Sequence, residues 1–163
     1  MNFLNALEKE HDEKYKVYAM GEWGRPTMKI KLDPGATMPT RAHEWDGGLD
    51  IYAAEDKVVF ANNYESIETG THIAIPEGYV GLLTSKSGIM LDHGATCRGT
   101  IDAGYTGSIK AIVINHGNHM LLVKAGQKIA QLVIVPCLRP DLKLVDELEP
   151  TERGDNGFGS TGI

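Results

Sequence analysis

An all-β domain is what this sequence predicts, and three observations carry that expectation. Beyond residue 27 the apolar residues fall in short runs rich in Ile and Val. Clusters of Gly, Pro, Asn and Asp separate the runs at strand-like spacing. Glycine is also enriched, at 19 of 163 residues against about 7% in ordinary proteins, which points to tight turns or to backbone held close to a ligand. The length suits a single core.

Residues 1–26 read differently. Phe3, Leu4, Leu7, Tyr15 and Tyr18 share one helical face among charged neighbours, so a short amphipathic helix is expected there, ended by Gly21, Gly24 and Pro26. It either packs on the domain surface or contacts a protein partner or second subunit. From 27 to 149 the apolar runs are 28–32, 49–53, 58–60, 72–75, 79–84, 109–114 and 129–135. Alternation is clear from Ile109 to Ile112. The run from Ile129 to Val133 reads as buried on both faces, which hints at subunit packing. No second helix of ordinary length is expected. Residues 150–163 hold four glycines, and 141–155 carry six acidic against two basic residues. That composition describes a mobile tail, yet Phe158 stands in it between Gly157 and Gly159.

A net charge of −6 gives no broad footprint for nucleic acid. Cys97 and Cys137 make no CxxC pair, which disfavours a disulfide scaffold or a zinc site. No run is long enough to span a membrane and no signal peptide is evident, so a soluble cytoplasmic protein is expected. The Walker loop and the dinucleotide fingerprint are absent. The zinc-deaminase signature fails, since Pro136-Cys137-Leu138-Arg139 lacks a second cysteine. His116 and His119 flank a Gly-Asn turn and read as exposed turn residues.

Three segments carry chemistry. Ser85-Lys86-Ser87-Gly88 sets hydroxyls and an ammonium beside a glycine at a strand end, where backbone N–H groups can meet anionic oxygens. Residues 99–107 form a tight hairpin-like segment holding Asp102 and Tyr105. The aspartate is either a turn acceptor or a base for water, and the tyrosine a wall for a ring. Arg153-Gly154-Asp155-Asn156-Gly157-Phe158-Gly159-Ser160-Thr161-Gly162 joins a phosphate-binding Arg, a stacking aromatic and two hydroxyls in a flexible frame.

In this order and spacing the segments resemble the five motifs of the homotrimeric dUTP pyrophosphatase (dUTPase) family. The first looks like Asp46-Gly47-Gly48-Leu49-Asp50-Ile51-Tyr52-Ala53-Ala54. The second is 85–88, the third 99–107, the fourth Gly126-Gln127-Lys128-Ile129-Ala130-Gln131-Leu132, and the fifth 153–162. Together they cover roughly residues 28–163. Lys86 stands where the second motif usually has Arg, Gln127-Lys128 replaces the usual Asp-Arg, and Asn156 replaces a usual Gly.

The resemblance implies a β-barrel or jelly-roll with a helical N-terminal extension and a C-terminal lid. It implies hydrolysis of dUTP to dUMP and pyrophosphate, by water attack at the α-phosphate, limiting uracil in DNA and supplying dUMP. Asp102 would be the base. Tyr105 would stack under the deoxyribose and exclude a 2′-hydroxyl. Backbone from Thr96 through Gly99, Thr100 and Ile101 would pair with uracil. Lys86, Ser87 and Gly88 would stabilise the leaving pyrophosphate, Gln131 would support the phosphates, and Lys110 is counted among the substrate-binding residues. Arg153 would hold the γ-phosphate, Phe158 would stack on uracil, and Gly159, Ser160 and Thr161 would complete the lid. Asp50 would orient, through water, a Mg²⁺ held mainly by the phosphates. In the family each site is built from three chains, so a homotrimer with shared sites is expected.

Three other readings stand beside this one. A dCTP deaminase shares the fold but needs a glutamate that 89–93 lack. A regulatory nucleotide- or protein-binding module would bind without turnover. A carbohydrate-binding or structural β-domain would leave the tail without a role.

Overall fold

The computed structural model describes residues 27–156. In chain order the strands are β1 (Ile30–Leu32), β2 (Gly48–Tyr52), β3 (Lys57–Val59), β4 (Asn63–Glu68), β5 (Thr71–Ile73) and β6 (Tyr79–Ser85). Helix α1 (Ser87–His93) follows. Then come β7 (Ala95–Cys97), β8 (Gly99–Asp102), β9 (Lys110–Asn115), β10 (Leu121–Val123) and β11 (Lys128–Pro136). The fold is all-β, as expected. The expected N-terminal helix lies outside the described residues.

Every strand pair is antiparallel. The order β2-β11-β6-β8 makes one sheet and β4-β9-β7 a second, with two-stranded ribbons β1-β5 and β3-β10 beside them. Among the described residues no sheet closes on itself into a single cylinder. Buried Ile51, Val59, Ile67, Ile73, Leu83, Ile109, Leu121 and Leu132 join the sheets and ribbons in one core. Branched side chains suit this, because they pack well on a pleated surface and lose little rotamer freedom there.

Four strands escape a reading by apolar runs, among them β8, which lies inside the 99–107 segment. Asn63-Tyr64-Glu65-Ser66-Ile67-Glu68 buries only Ile67 fully, and it is a strand because it pairs residue for residue with β9. β7 and β10 have three residues each, too short to show a period. Within 129–133, Ile129, Ala130 and Leu132 are buried while Gln131 and Val133 are half-buried. β11 is the second strand of the four-stranded sheet, hydrogen-bonded to β2 along one edge and to β6 along the other. A register shift between Lys128 and Ala130 also turns the adjacent Ile129 and Ala130 both inward, as a bulge does.

Helix α1 stops at Gly94, whose φ of 63° is the left-handed conformation that favours glycine. Asn115, at the end of β9, is fully buried. Its amide donates to the Val59 and His119 carbonyls at 3.0 and 2.8 Å and accepts from Gly117 N–H at 2.9 Å. The amide thereby fixes the turn carrying His116 and His119, both exposed.

Gly81 is where β6 passes under the core. A Cβ there would lie 2.6 Å from Ile75 Cδ1 and 2.9 Å from Leu132 Cδ1. Gly81→Ala is therefore expected to lower unfolding free energy by about 1–3 kcal/mol through overpacking. Urea titration of both proteins measures it, and equal midpoints would contradict the packing.

Candidate active site

The four-stranded sheet aligns residues from motifs far apart in sequence. Asp50 on β2 stands opposite Gln131 on β11, and Gln131 stands opposite Thr84 on β6. Lys86 follows the end of β6, and Lys128 opens β11. Both lysines turn onto Asp50, which is only 1% exposed. Lys86 Nζ donates to Oδ1 at 2.8 Å, and Gln131 Nε2 donates to the same oxygen at 3.3 Å. Lys128 Nζ lies 2.7 Å from Oδ2 and 5.9 Å from the centroid of the Tyr52 ring.

Burial alone would raise the Asp50 pKa, but the donors Lys128, Lys86 and Gln131 outweigh it and hold the carboxyl below its ordinary range. The hydrogen bond to Asp50 raises Lys128 in turn. Two ammonium groups on one carboxylate leave a local surplus of positive charge. The lysine side chains keep 27% and 39% of their surface exposed, so this charge faces solvent where an anion can reach it. Beside it begins α1, whose first turn no side chain caps, so Ser87 and Gly88 bring helix-start N–H groups to the same place.

Lys128 entered the sequence reading only as a departure from a motif. Its site role was not legible there, because nothing along the chain shows that positions 86 and 128 meet on residue 50. Lysine rather than arginine at both positions replaces two planar forks with two flexible point charges.

Asp102 and Tyr105 lie elsewhere. Asp102 ends β8 and is exposed. Gly104, at φ 91°, makes the turn that follows, and Tyr105 N–H donates to the Asp102 carbonyl at 3.1 Å. The Tyr105 hydroxyl donates to the Ser108 carbonyl at 2.9 Å, which folds the ring against Gly107. Ser108 Oγ donates to Glu68 Oε2 at 3.3 Å, and Lys110 Nζ pairs with Glu68 Oε1 at 2.6 Å. Glu68 raises the Lys110 pKa. Lys110 thus braces the hairpin.

Gly99, Thr100 and Ile101 run along β8 beside β6. Thr96 belongs to the other sheet, where it pairs with Ile114 and its Oγ1 meets His116 Nε2 at 2.9 Å. Ser85 Oγ accepts from Cys97 N–H at 2.9 Å and donates to the Cys97 carbonyl at 3.2 Å, stitching the two sheets together under this region. Burial pushes the Cys97 thiol up to about 11, so at neutral pH it stays protonated and is no nucleophile.

The two groups do not meet within one chain. Asp102 stands opposite Val80, four to five positions along β6 from Thr84 and Ser85, or roughly 14–17 Å. Arg153 lies in the exposed tail, its Nε donating to the Asn156 carbonyl at 3.1 Å. Phe158, Gly159, Ser160 and Thr161 lie outside the described residues.

The expected Mg²⁺ can be tested against the donors present. Among the described residues no three or more His, Cys, Asp or Glu side chains gather as a metal-ligand group. Both Asp50 oxygens already face ammonium groups. The surroundings of Asp50 therefore fit phosphate oxygens, and they fit a cation only when phosphates carry it.

Comparison with known proteins gives this geometry its family. The dUTPase family model matches residues 35–162. A deoxyuridine 5'-triphosphate nucleotidohydrolase of Clostridium tetani is 42% identical over 140 residues, 83% of this chain and 97% of that protein. One from Syntrophotalea carbinolica is 43% identical over 143 residues, 84% and 97% of the two chains. Among solved structures, the Staphylococcus bacteriophage 80alpha dUTPase with dUpNHpp superposes with a TM-score of 0.78 at 36% identity, over 85% of this chain and all of that one. A mutant dUTPase from phage phi11 of S. aureus, whose structure is described as showing the coordination of a structural Mg(II) ion, superposes with a TM-score of 0.70 at 34% identity, over 77% and 100%. The chain belongs to the dUTPase family.

Proposed function

We propose that this protein hydrolyses dUTP to dUMP and pyrophosphate, at sites built between copies of the chain. The observation that carries the reading is the division of the site. A cationic phosphate row and an exposed carboxylate beside an aromatic wall occupy opposite ends of one sheet, so one copy supplies the first and a second copy the other. Leu142 and Leu144, 97% and 98% exposed, fit an arm that packs on a neighbouring copy. A trimer with the 150–163 tail of one copy closing over another completes the arrangement, in a soluble, cytoplasmic setting.

In this site Asp102 accepts a proton from water as the water attacks the α-phosphorus. The bond to the bridging oxygen breaks, and pyrophosphate leaves toward Lys86, Lys128, Ser87 and Gln131, whose charge and donors stabilise it. Asp50 holds the two lysines at fixed positions, and it would be the protein's contact, through water, to a Mg²⁺ carried on the phosphates. When bound on the phosphates, that ion neutralises negative charge on them. Thr96, Gly99, Thr100 and Ile101 offer backbone groups to uracil. Lys110 supports the pocket by bracing the hairpin. Arg153, Phe158, Gly159, Ser160 and Thr161 act as the lid.

A pyrophosphate-release assay with dUTP, UTP, dTTP and dCTP tests the reading. Mg²⁺-dependent turnover of dUTP alone is expected. Ammonia release from dCTP, or no turnover by folded protein, would overturn it. The Tyr105 wall has its own test. A Cβ at Gly107 would lie 2.5 Å from the Tyr105 hydroxyl oxygen and 2.6 Å from Cζ, so Gly107→Ala must displace the ring. The preference for dUTP over UTP, as a ratio of kcat/KM, is expected to fall about tenfold, and an unchanged ratio would remove Tyr105 from sugar selection.

A further inference from the structure

His72 lies on β5, outside every motif discussed above, with its side chain 17% exposed. One ring nitrogen, Nδ1, is 2.8 Å from the Thr106 carbonyl oxygen. The other, Nε2, is 3.1 Å from Asp33 Oδ2. A carbonyl and an ionised carboxylate can only accept hydrogen bonds, whereas a neutral imidazole has one donor and one acceptor. Both contacts are therefore satisfied only when both ring nitrogens carry protons.

The two anchors differ in rigidity. Asp33 is tied to the fold by its own N–H, which donates to the Gly70 carbonyl at 2.8 Å. Thr106 sits in the turn next to Tyr105, between β8 and β9, where the chain has no strand pairing. β5 reaches the same turn through its backbone, since Ile109 N–H donates to the Thr71 carbonyl at 2.8 Å.

We propose that His72 is a positioning residue, a doubly protonated imidazole that clamps the Thr106 carbonyl toward Asp33 and so fixes the hairpin presenting Tyr105. The proposal rests on the reading of Tyr105 as the wall of the sugar pocket.

The charged groups facing the imidazole are Asp33, in the loop after β1, and Lys31, its cross-strand neighbour on β1, which also pairs with Asp33 at 3.7 Å. The Thr106 carbonyl and then Asp33 raise the His72 pKa above its ordinary 6.5, against burial and Lys31. His72 lowers Asp33 in return. The sign follows from linkage. The clamp is complete below the ordinary histidine value and is lost as pH rises through the higher folded one.

Two measurements on the full-length protein test this. In ¹⁵N-resolved NMR of the imidazoles, His72 is expected to show two protonated nitrogens and to titrate above 6.5. Through that titration the KM for dUTP is expected to rise about three- to tenfold, the loss of one charge-assisted hydrogen bond, with kcat changing less. His72→Gln should show the raised KM at every pH without the step. His72→Arg, which keeps charged donors throughout, should show the low KM without the step. Titration at or below 6.5, a flat KM through the titration, or a step that survives in His72→Gln would each overturn the proposal. Absence of dUTP turnover would instead defeat the proposed reaction, while the nitrogen titration still reports on the clamp.

Discussion

Replacing Asp102 with asparagine is expected to leave a folded protein that still binds dUTP and releases pyrophosphate about 10²–10⁴-fold more slowly. The carboxylate is exposed at the end of β8, so it contributes little packing, and the hydrogen bond from Tyr105 N–H goes to its backbone carbonyl. Asparagine keeps both the shape and that bond but cannot take a proton from water. The loss should therefore fall on kcat. Single-turnover pyrophosphate release, with calorimetric binding of a non-hydrolysable dUTP analogue, separates the two parameters. A loss under about tenfold would remove Asp102 from its role as base. The same variant also tests the division of the site. Co-refolding Asp102→Asn with Lys86→Ala should restore turnover in mixed oligomers, because one copy then supplies the base and another the cationic row. Mixtures no more active than their parents would argue for a site contained in one chain.

Asp50→Asn is expected to lower unfolding free energy by about 2–3 kcal/mol. The carboxylate is 1% exposed, and without its charge Lys86 and Lys128 face each other across a neutral amide. Breaking a fully buried pair costs about 3–5 kcal/mol, and the figure here is smaller because both lysines can swing toward water. Against a typical total of about 5–15 kcal/mol this is a large share. The pH dependence has a definite sign. Asp50 has a folded pKa below its ordinary 3.8, so its contribution is present above that value and is lost as pH falls through the lower folded one. Urea titrations at neutral and acid pH should show the difference between the two proteins shrinking in that acid range. A constant difference would mean that packing, and not charge, is what Asp50 supplies.

The exchange of arginine for lysine at positions 86 and 128 has one physical locus. Each position alone is a departure from a motif. The fold shows that both side chains serve the same buried carboxylate, so the character of the phosphate row changes as a unit. Two arginines would offer a carboxylate or phosphate four fixed forked donors, while two lysines offer mobile point charges with strong hydration.

Several features were legible along the chain alone. Ile and Val runs between glycine-rich turns marked most of the long strands, because each core-facing stretch must be apolar and each reversal needs a residue tolerant of unusual φ. The five motif segments, with Asp102 and Tyr105 in the third, were likewise readable as local patterns. The strand Asn63–Glu68 was not, since it buries one residue fully and owes its form to β9. Nor was the bulge in β11, where a register shift between Lys128 and Ala130 sets neighbouring Ile129 and Ala130 both into the core.

What only the tertiary structure decided is who meets whom. Asp50 and Gln131 are 81 positions apart and share a hydrogen bond. Lys86 and Lys128 converge on that same carboxylate, His72 joins Asp33 to Thr106, and Asp102 is held well away from the cationic row along β6. None of these follows from a residue's neighbours in sequence, because antiparallel register is fixed by hydrogen-bond ladders between distant strands, and shifting a strand by one residue would turn every one of its side chains to the opposite face. Local composition determined most of the long strands and the segments that carry chemistry, and the ladders determined the remaining strands and which of those chemistries lie together.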